Sequence, residues 1–364
     1  MFRYVLMFLT ATNIYLYLKL RSGFGKGWWN AVYVVWAAAW AVLAFTSRSG
    51  YFGMGQSAEV LYSLTFARAA IVGIGCVVFL LIDIGSLAAR LIDCLIGVNL
   101  KSRFFNPRKY VPVTVLFVLA IALYSYYEAW NVRRVDLVIE TSRISEEGLR
   151  LVHVSDVHLG NGLYTISRLQ KVMDIAREAS PDILVITGDL VDSSTRSLEE
   201  EAKLIASYGA KYGVYAVTGN HEFIFGRIEN SIDFMKRANI VLLRDAVIDV
   251  AGITIIGVDE QMKWRFQWPD DLFFPKDRFV LLLKHRPEII EGSEGKFDLQ
   301  LSGHTHGGQI WPFRYMAQWA NRSAQKLSYV GDSAVYVSNG VGFWGPPLRF
   351  LTPPEVTVID LVKR

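Results

Sequence analysis

At 364 residues the chain has room for one large domain plus a smaller one, or for two ordinary domains. Its hydrophobic content of 52% is high for a wholly soluble protein, and the excess sits in the first third, in blocks almost free of charge. The net charge of +4 is mild, no Lys/Arg cluster interleaved with aromatics marks a nucleic-acid groove, and the two cysteines, Cys76 and Cys94, leave the last two thirds without a disulfide framework or a CxxC pair.

Four apolar blocks, at about 4–18, 28–45, 69–89 and 111–127, approach the roughly 17–25 residues of a bilayer span. The first reads as a span rather than a signal peptide, because Arg3 gives only a thin charged start and no A-x-A-like site precedes Lys19. Asp83, inside the third block, has no obvious intramembrane base and is assigned to helix packing or to a position near the interface. Lys19, Arg21 and Lys26 follow the first block, and Arg90, Lys101, Arg103, Arg108 and Lys109 follow the third. The opposite side carries Arg3, Arg48, Arg68, Arg133 and Arg134. The heavier loops belong in the cytoplasm, which puts both termini and the remainder of the chain outside it. The expected organisation is a transmembrane region of about four helices over 1–134, then a separate domain over 135–364.

From about residue 135 the texture alternates. VDLVIE, LRLVHVSD, DILVITGDLV and GVYAVTGNH read as strands. ISRLQKVMDIAREA, LEEEAKLIASYG (closed by Gly209) and IENSIDFMKRA read as helices. Strand-like runs then dominate: NIVLLRDAVIDV, GITIIGVDE, RFVLLLKH, FDLQLSGH, AVYVSNG and EVTVIDLV. The order predicts an α/β domain in which two sheets pack face to face, flanked by helices.

Five of the six histidines lie in short motifs that each follow a strand-like run: Asp156-Val157-His158, Gly188-Asp189, Gly219-Asn220-His221-Glu222, Lys284-His285 and Gly303-His304-Thr305-His306. Ligands of open α/β sheets bind outside the carboxyl ends of the strands, so separate motifs can converge on one pocket. Residues i and i+2 of extended chain share a side, which would let Asp156 and His158, or His304 and His306, reach one ion together. Gly188 and Gly219 allow tight turns without a Cβ clash. Carboxylates, imidazoles and one amide oxygen suit Mn, Fe or Zn better than Ca or Mg alone. His153, within an apolar strand, reads as a core histidine.

The set DVH, GD, GNHE, His285 and GHTH resembles the five-motif signature of the calcineurin-like metallophosphoesterases. The stretches GHTHGGQIWP and NGVGFWGPPLRFLTPPEVTVIDL are similar to a membrane-associated bacterial branch of that family. The resemblance runs from about residue 135 to the C-terminus. It implies that Asp156, His158 and His306 bind a first divalent ion and that Asn220, His285 and His304 bind a second, with Asp189 bridging. It also places His221 beside the leaving group as a catalytic acid. Glu222 stands where many members have Asp and is assigned to orient His221.

Two ions about 3.5–4 Å apart polarise a phosphoryl oxygen and activate a bridging water as hydroxide. The expected reaction is hydrolysis of phosphate mono-, di- or pyrophosphate esters, with His221 protonating the departing alkoxide. No Ser or Cys nucleophile motif competes. Arg286 is a candidate phosphate contact through its fork of donors, against an ordinary salt bridge. Phe313, Tyr315, Trp319, Phe343 and Trp344 either dip into a bilayer interface or pack over the sheet edge. The short linker after residue 127 keeps the domain near headgroups, so the expected partners are the bilayer and a phosphoester, with a lipid-borne one leading and a soluble nucleotide, a sugar phosphate or a phosphoprotein served by the same metals. A catalytically silent receptor or scaffold would mark itself by a lost ligand, and a transporter with a regulatory domain would want paired intramembrane charges.

Overall fold

The computed structural model describes residues 2–50, 55–160, 165–192, 198–224, 228–260, 275, 277–290, 292–293, 295–320 and 326–364. The chain divides into two compact units, Met1–Tyr124 and Ser125–Arg364.

The first unit is helical: α1 (Phe2–Phe24), α2 (Trp29–Gly50), α3 (Gly55–Ile96), α4 (Leu100–Phe104) and α5 (Pro107–Trp130), whose last turns belong to the second unit. Among the described residues two stretches, Leu64–Ile96 and Pro107–Trp130, are long and apolar enough to cross a bilayer. The other two expected spans fall on α1 and α2, which do not meet that test among the described residues.

Polar contacts join these helices. The Lys19 ammonium of α1 pairs with the Asp83 carboxylate of α3, and the Tyr15 hydroxyl donates to the same group at 2.7 Å. Asp83 therefore has the basic partner that its surrounding sequence does not display, because the base comes from another helix. Arg68, also on α3, donates to the Asn13 side chain and lays its guanidinium 4.2 Å from the centre of the Trp36 ring. Lys19 and Arg68 are thus helix-packing residues rather than the loop charges assumed for orientation. The side chains of Arg3 and Arg48 lie outside the described residues.

The second unit holds two six-stranded sheets. In the first, β1 (Arg133–Thr141), β2 (Leu149–Val154), β3 (Ile183–Thr187), β4 (Val214–Val217), β5 (Val241–Leu242) and β12 (Glu355–Lys363) stand in the order β1-β12-β2-β3-β4-β5. In the second, β6 (Ala246–Val250), β7 (Ile253–Gly257), β8 (Val280–Leu283), β9 (Leu299–Ser302), β10 (Leu327–Val330) and β11 (Ser333–Val337) stand in the order β10-β11-β9-β8-β7-β6. The period of two explains the layers. Leu151, Ile183, Val185 and Val217 of the first sheet meet Ile255, Leu281, Leu283 and Leu301 of the second. The intervening residues Val152, Leu184, Ile186 and Ala216 point the other way, onto α6 (Ile166–Glu178), α7 (Glu199–Ala206) and α9 (Ile228–Arg237). Truncating Leu151 or Leu301 to Ala in such a dry layer costs about 2–5 kcal/mol.

Several local expectations shift. α7 closes at Ser207, whose N–H bonds to the Lys203 carbonyl, before Gly209 is reached. The run NIVLLRDAVIDV is two strands in different sheets, with the crossover at Asp245, a residue of left-handed backbone. Two elements follow the last motif without clear sequence signals: α10 (Phe313–Ala320) and the edge strand β10. A short helix, α8 (His221–Ile224), starts inside GNHE.

Candidate metal centre

Parallel pairing of β2, β3 and β4 puts their carboxyl ends on one side of the first sheet, and β8 and β9 do the same in the second. The five motifs leave from those ends. Asp156, His158, Asp189, Asn220, His285 and His306 are all buried, and His304 is partly so.

The backbone that aims them is not extended. Asp156, His158, Asp189, His304 and His306 have φ of 53°, 56°, 49°, 69° and 50°. Left-handed non-glycine residues cost of order 1–3 kcal/mol each and collect where function over-determines the conformation. The i, i+2 argument from strand geometry therefore fails in its reason. Asp156 and His158 do share a cluster, whereas His304 and His306 enter different ones. Gly219 is required by space: a Cβ there would stand 2.2 Å from Asp189 Oδ1. Gly188 combines a φ of +80° with a Cβ position 2.7 Å from His285 Nδ1.

Among the described residues three groups of ligand atoms, each within 4.8 Å of one another, result: Asp156 with His158 and His306, Asp189 with His285 and His304, and His158 with Asp192 and His221. The Nε2 atoms of His158 and His306 are 3.0 Å apart, and His306 Nε2 is 3.5 Å from Asp156 Oδ1. His285 Nε2 lies 3.2 Å from both Asp189 Oδ2 and Asn220 Oδ1. Ligands about 2.0–2.2 Å from a shared ion stand roughly 3–3.5 Å apart, so these spacings suit a coordination shell. The imidazoles are also oriented as metal ligands usually are, with the far nitrogen tied down. His158 Nδ1 donates to Asp192 Oδ1 at 2.5 Å, and His285 Nδ1 donates to the Thr187 carbonyl at 2.8 Å. A buried set of carboxylates, imidazoles and one amide oxygen thus fits divalent ions.

The charged groups of the centre bias one another. Burial penalises the charged imidazole of His285, but Asp189 outweighs it and brings the pKa up to about 10. In return His285 and His221 hold the buried Asp189 carboxyl below its usual range, against the desolvation that opposes ionisation. His304 goes the other way, down to about 3, through burial and the nearby His285 charge, which leaves it neutral and able to ligate.

Glu222 takes a different place from the one expected. His221 Nδ1 donates to Asp192 Oδ1 at 2.7 Å, and its Nε2 is 3.9 Å from Asp189 Oδ2. Burial lowers the affinity of this ring for a proton, yet Asp189 and Asp192 more than offset it and bring the pKa up to about 9. Glu222 is not the orienter of this ring. Its carboxylate accepts backbone N–H bonds from Leu190 and Gly219 at 2.7 Å, Val191 at 3.0 Å and Asp189 at 3.1 Å, and so pins the loop after β3 to the loop after β4. Asp192 was passed over in the sequence. Its only signal is an acid placed three residues after Asp189, in the same strand-end loop.

Arg286 borders the centre, with Nη1 3.4 Å from His304 Nε2, and its Nε donates to Glu260 at 2.7 Å. His153 is fully buried between the sheets, with Nε2 2.7 Å from the Thr187 hydroxyl and Nδ1 without a partner among the described residues. Arg349, equally buried, was also missed. It donates to the His306 carbonyl at 3.3 Å and stands 3.0 Å from His306 Nδ1.

The profile of the calcineurin-like phosphoesterases matches residues 149–308, a span that contains all five motifs. An uncharacterized metallophosphoesterase of Aquifex aeolicus is 32% identical over 68% of this chain and 98% of its own length. One from Campylobacter jejuni is 31% identical over 68% of each chain. A Danio rerio protein described as a transmembrane protein with a metallophosphoesterase domain is 29% identical over 68% of this chain and 62% of its own. On this similarity and these clusters, the chain belongs to the calcineurin-like metallophosphoesterase family and is a metal-dependent phosphoesterase.

Proposed function

We propose that this chain is a membrane-anchored hydrolase of phosphate mono-, di- or pyrophosphate esters that works with two divalent ions drawn from Mn, Fe or Zn. The carrying observation is the pair of buried ligand clusters at one end of the two sheets, Asp156/His158/His306 and Asp189/His285/His304. Asn220 would complete the second set, and Asp189 would serve both ions.

Bound ions supply Lewis-acid polarisation of a phosphoryl oxygen and a water made acidic enough to attack. The protein's own groups do the rest. Asp192 fixes the rings of His158 and His221 through one oxygen. His221 would then carry a proton to the departing alkoxide on Nε2. Arg286, at the border of the centre, would take a phosphoryl oxygen.

Anchoring rests on the apolar stretches Leu64–Ile96 and Pro107–Trp130. Arg90, Lys101, Arg103, Arg108 and Lys109, in and beside the loop that joins them, favour a cytoplasmic loop and hence a catalytic unit outside the cytoplasm. Protease added to intact cells should then cut the catalytic unit; protection until lysis would reverse the orientation. A lipid-borne phosphoester is the leading substrate class. Purified full-length protein with Mn²⁺, assayed on a lipid-phosphate panel beside soluble phosphoesters, should favour the lipids. Turnover confined to soluble esters would remove that substrate class, and no turnover with any ester or metal would remove the function.

A further inference from the structure

The helix α10 (Phe313–Ala320) is amphipathic in the reverse of the usual sense. Phe313, Tyr315, Met316 and Trp319 are 48%, 59%, 65% and 87% exposed, and at 100° per residue they cover one face. The polar residues Arg314 and Gln318, on the other side, line a small pocket with Thr305, Gly307 and Lys326. A surface helix in water turns its apolar face inward. This one turns it out.

The position of the helix says what covers that face. The second unit is built onto the last turns of α5. Arg349 N–H donates to the Ser125 carbonyl at 2.9 Å, and Thr352 N–H donates to the buried Glu128 carboxylate at 3.2 Å. The next residue, Phe350, pairs with the segment that leads into α10: its N–H donates to the Gln309 carbonyl at 3.0 Å, and its carbonyl accepts from Trp311 N–H at 2.9 Å. Two hydrogen bonds and the step from Arg349 to Phe350 therefore link Ser125, in the last turns of α5, to Trp311, two residues before α10. Tyr126 and Tyr127, exposed on the same end of α5, are residues that favour the headgroup level. A face of Phe, Tyr, Met and Trp beside an apolar helix's exit has the composition of a segment lying at the headgroup–acyl boundary. Phe343 does not belong to that face. It is buried, with its ring centre 5.8 Å from that of Trp130.

We propose that α10 is an interfacial helix, seated in the lipid surface where α5 leaves the bilayer, so that the GHTH loop preceding it presents the candidate centre to phosphoesters carried on that surface. The proposal rests on the reading of α5 as a membrane span. The test uses the full chain carrying Cys76→Ser and Cys94→Ser, reconstituted in phosphatidylcholine–phosphatidylglycerol nanodiscs, with a nitroxide placed by Trp319→Cys or, separately, by Leu123→Cys on α5. The expected result is that both labels collide more with lipid-dissolved oxygen than with an aqueous nickel chelate. A Trp319 label open to the chelate, with the Leu123 label in lipid, overturns the seating of α10 and spares the anchor. A Leu123 label open to the chelate overturns the anchor itself. Dipolar broadening between Trp319 labels would assign the face to a second copy of the chain and also overturn the proposal.

Discussion

Asp192 Oδ1 accepts from His221 Nδ1 at 2.7 Å, and the same oxygen accepts from His158 Nδ1 at 2.5 Å. One part-buried carboxylate thereby sets the orientation of a ring expected to ligate and of a ring expected to deliver a proton. Burial opposes its ionisation, but the two imidazoles hold its pKa below the usual carboxylate range. Asp192→Ala should weaken metal binding by about 10–100-fold and lower turnover as well. Asp192→Asn, which keeps one acceptor oxygen, should lose less of both. Metal titration read by calorimetry checks this; unchanged affinity in the alanine variant would remove Asp192 from the site.

His221→Ala should keep its metal and lose about 10²–10⁴ in rate on alkyl phosphoesters, whose leaving oxygen needs a proton. Its loss on an activated aryl ester should be much smaller. Since its folded pKa lies near 9, the proton is in place below that pH and is lost above it. Wild-type turnover of alkyl esters should therefore fall on the alkaline side, and that limb should be absent in His221→Ala. Equal losses on both ester types would rule out the acid role.

Glu222 has a structural assignment. Glu222→Gln turns one of its two acceptor oxygens into a donor that faces backbone N–H groups. Leaving such donors unsatisfied costs about 1–3 kcal/mol. Chemical denaturation should show that loss, and because the Asp189 loop is loosened, bound metal should fall too. A variant of wild-type stability would contradict this account of Glu222.

What could be read from the sequence was local. Each ligand-bearing motif is a short string at the end of an apolar run, so Asp156, Asp189 and His285 stand out without a fold. The pairing of Asp192 with His158 and His221 exists only once three strand ends converge, and Glu222, adjacent to His221 in sequence, displaced it in the reading. The left-handed backbone at Asp156 and His304 is likewise imposed by neighbours; no residue-type preference announces it. Lys19 and Asp83 meet only because α1 packs on α3. The α10 face was visible as a crowd of aromatics, but not as a helix, and Phe343 could not be separated from it before its packing against Trp130 was known.

His153 provides the control. Burial takes its pKa down to about 3, below its value of about 6.5 in the unfolded chain. The unfolded state therefore binds the extra proton between those values, and stability falls as pH drops through that window, by about 1.4 kcal/mol per pH unit from this residue. His153→Gln should retain most activity at neutral pH and show a shallower acid dependence of unfolding. A large activity loss with an unaltered acid profile would mean that the ring serves the centre instead.

The central claim is a pair of ions served jointly by Asp189. Metal content of the purified chain, measured by inductively coupled plasma mass spectrometry for wild type and Asp189→Ala, addresses it most directly. The expected result is about two ions per wild-type chain, as in two-metal hydrolases, with less metal and no hydrolysis in the folded, membrane-inserted variant. Near-normal turnover or full metal content in Asp189→Ala would contradict the dinuclear assignment.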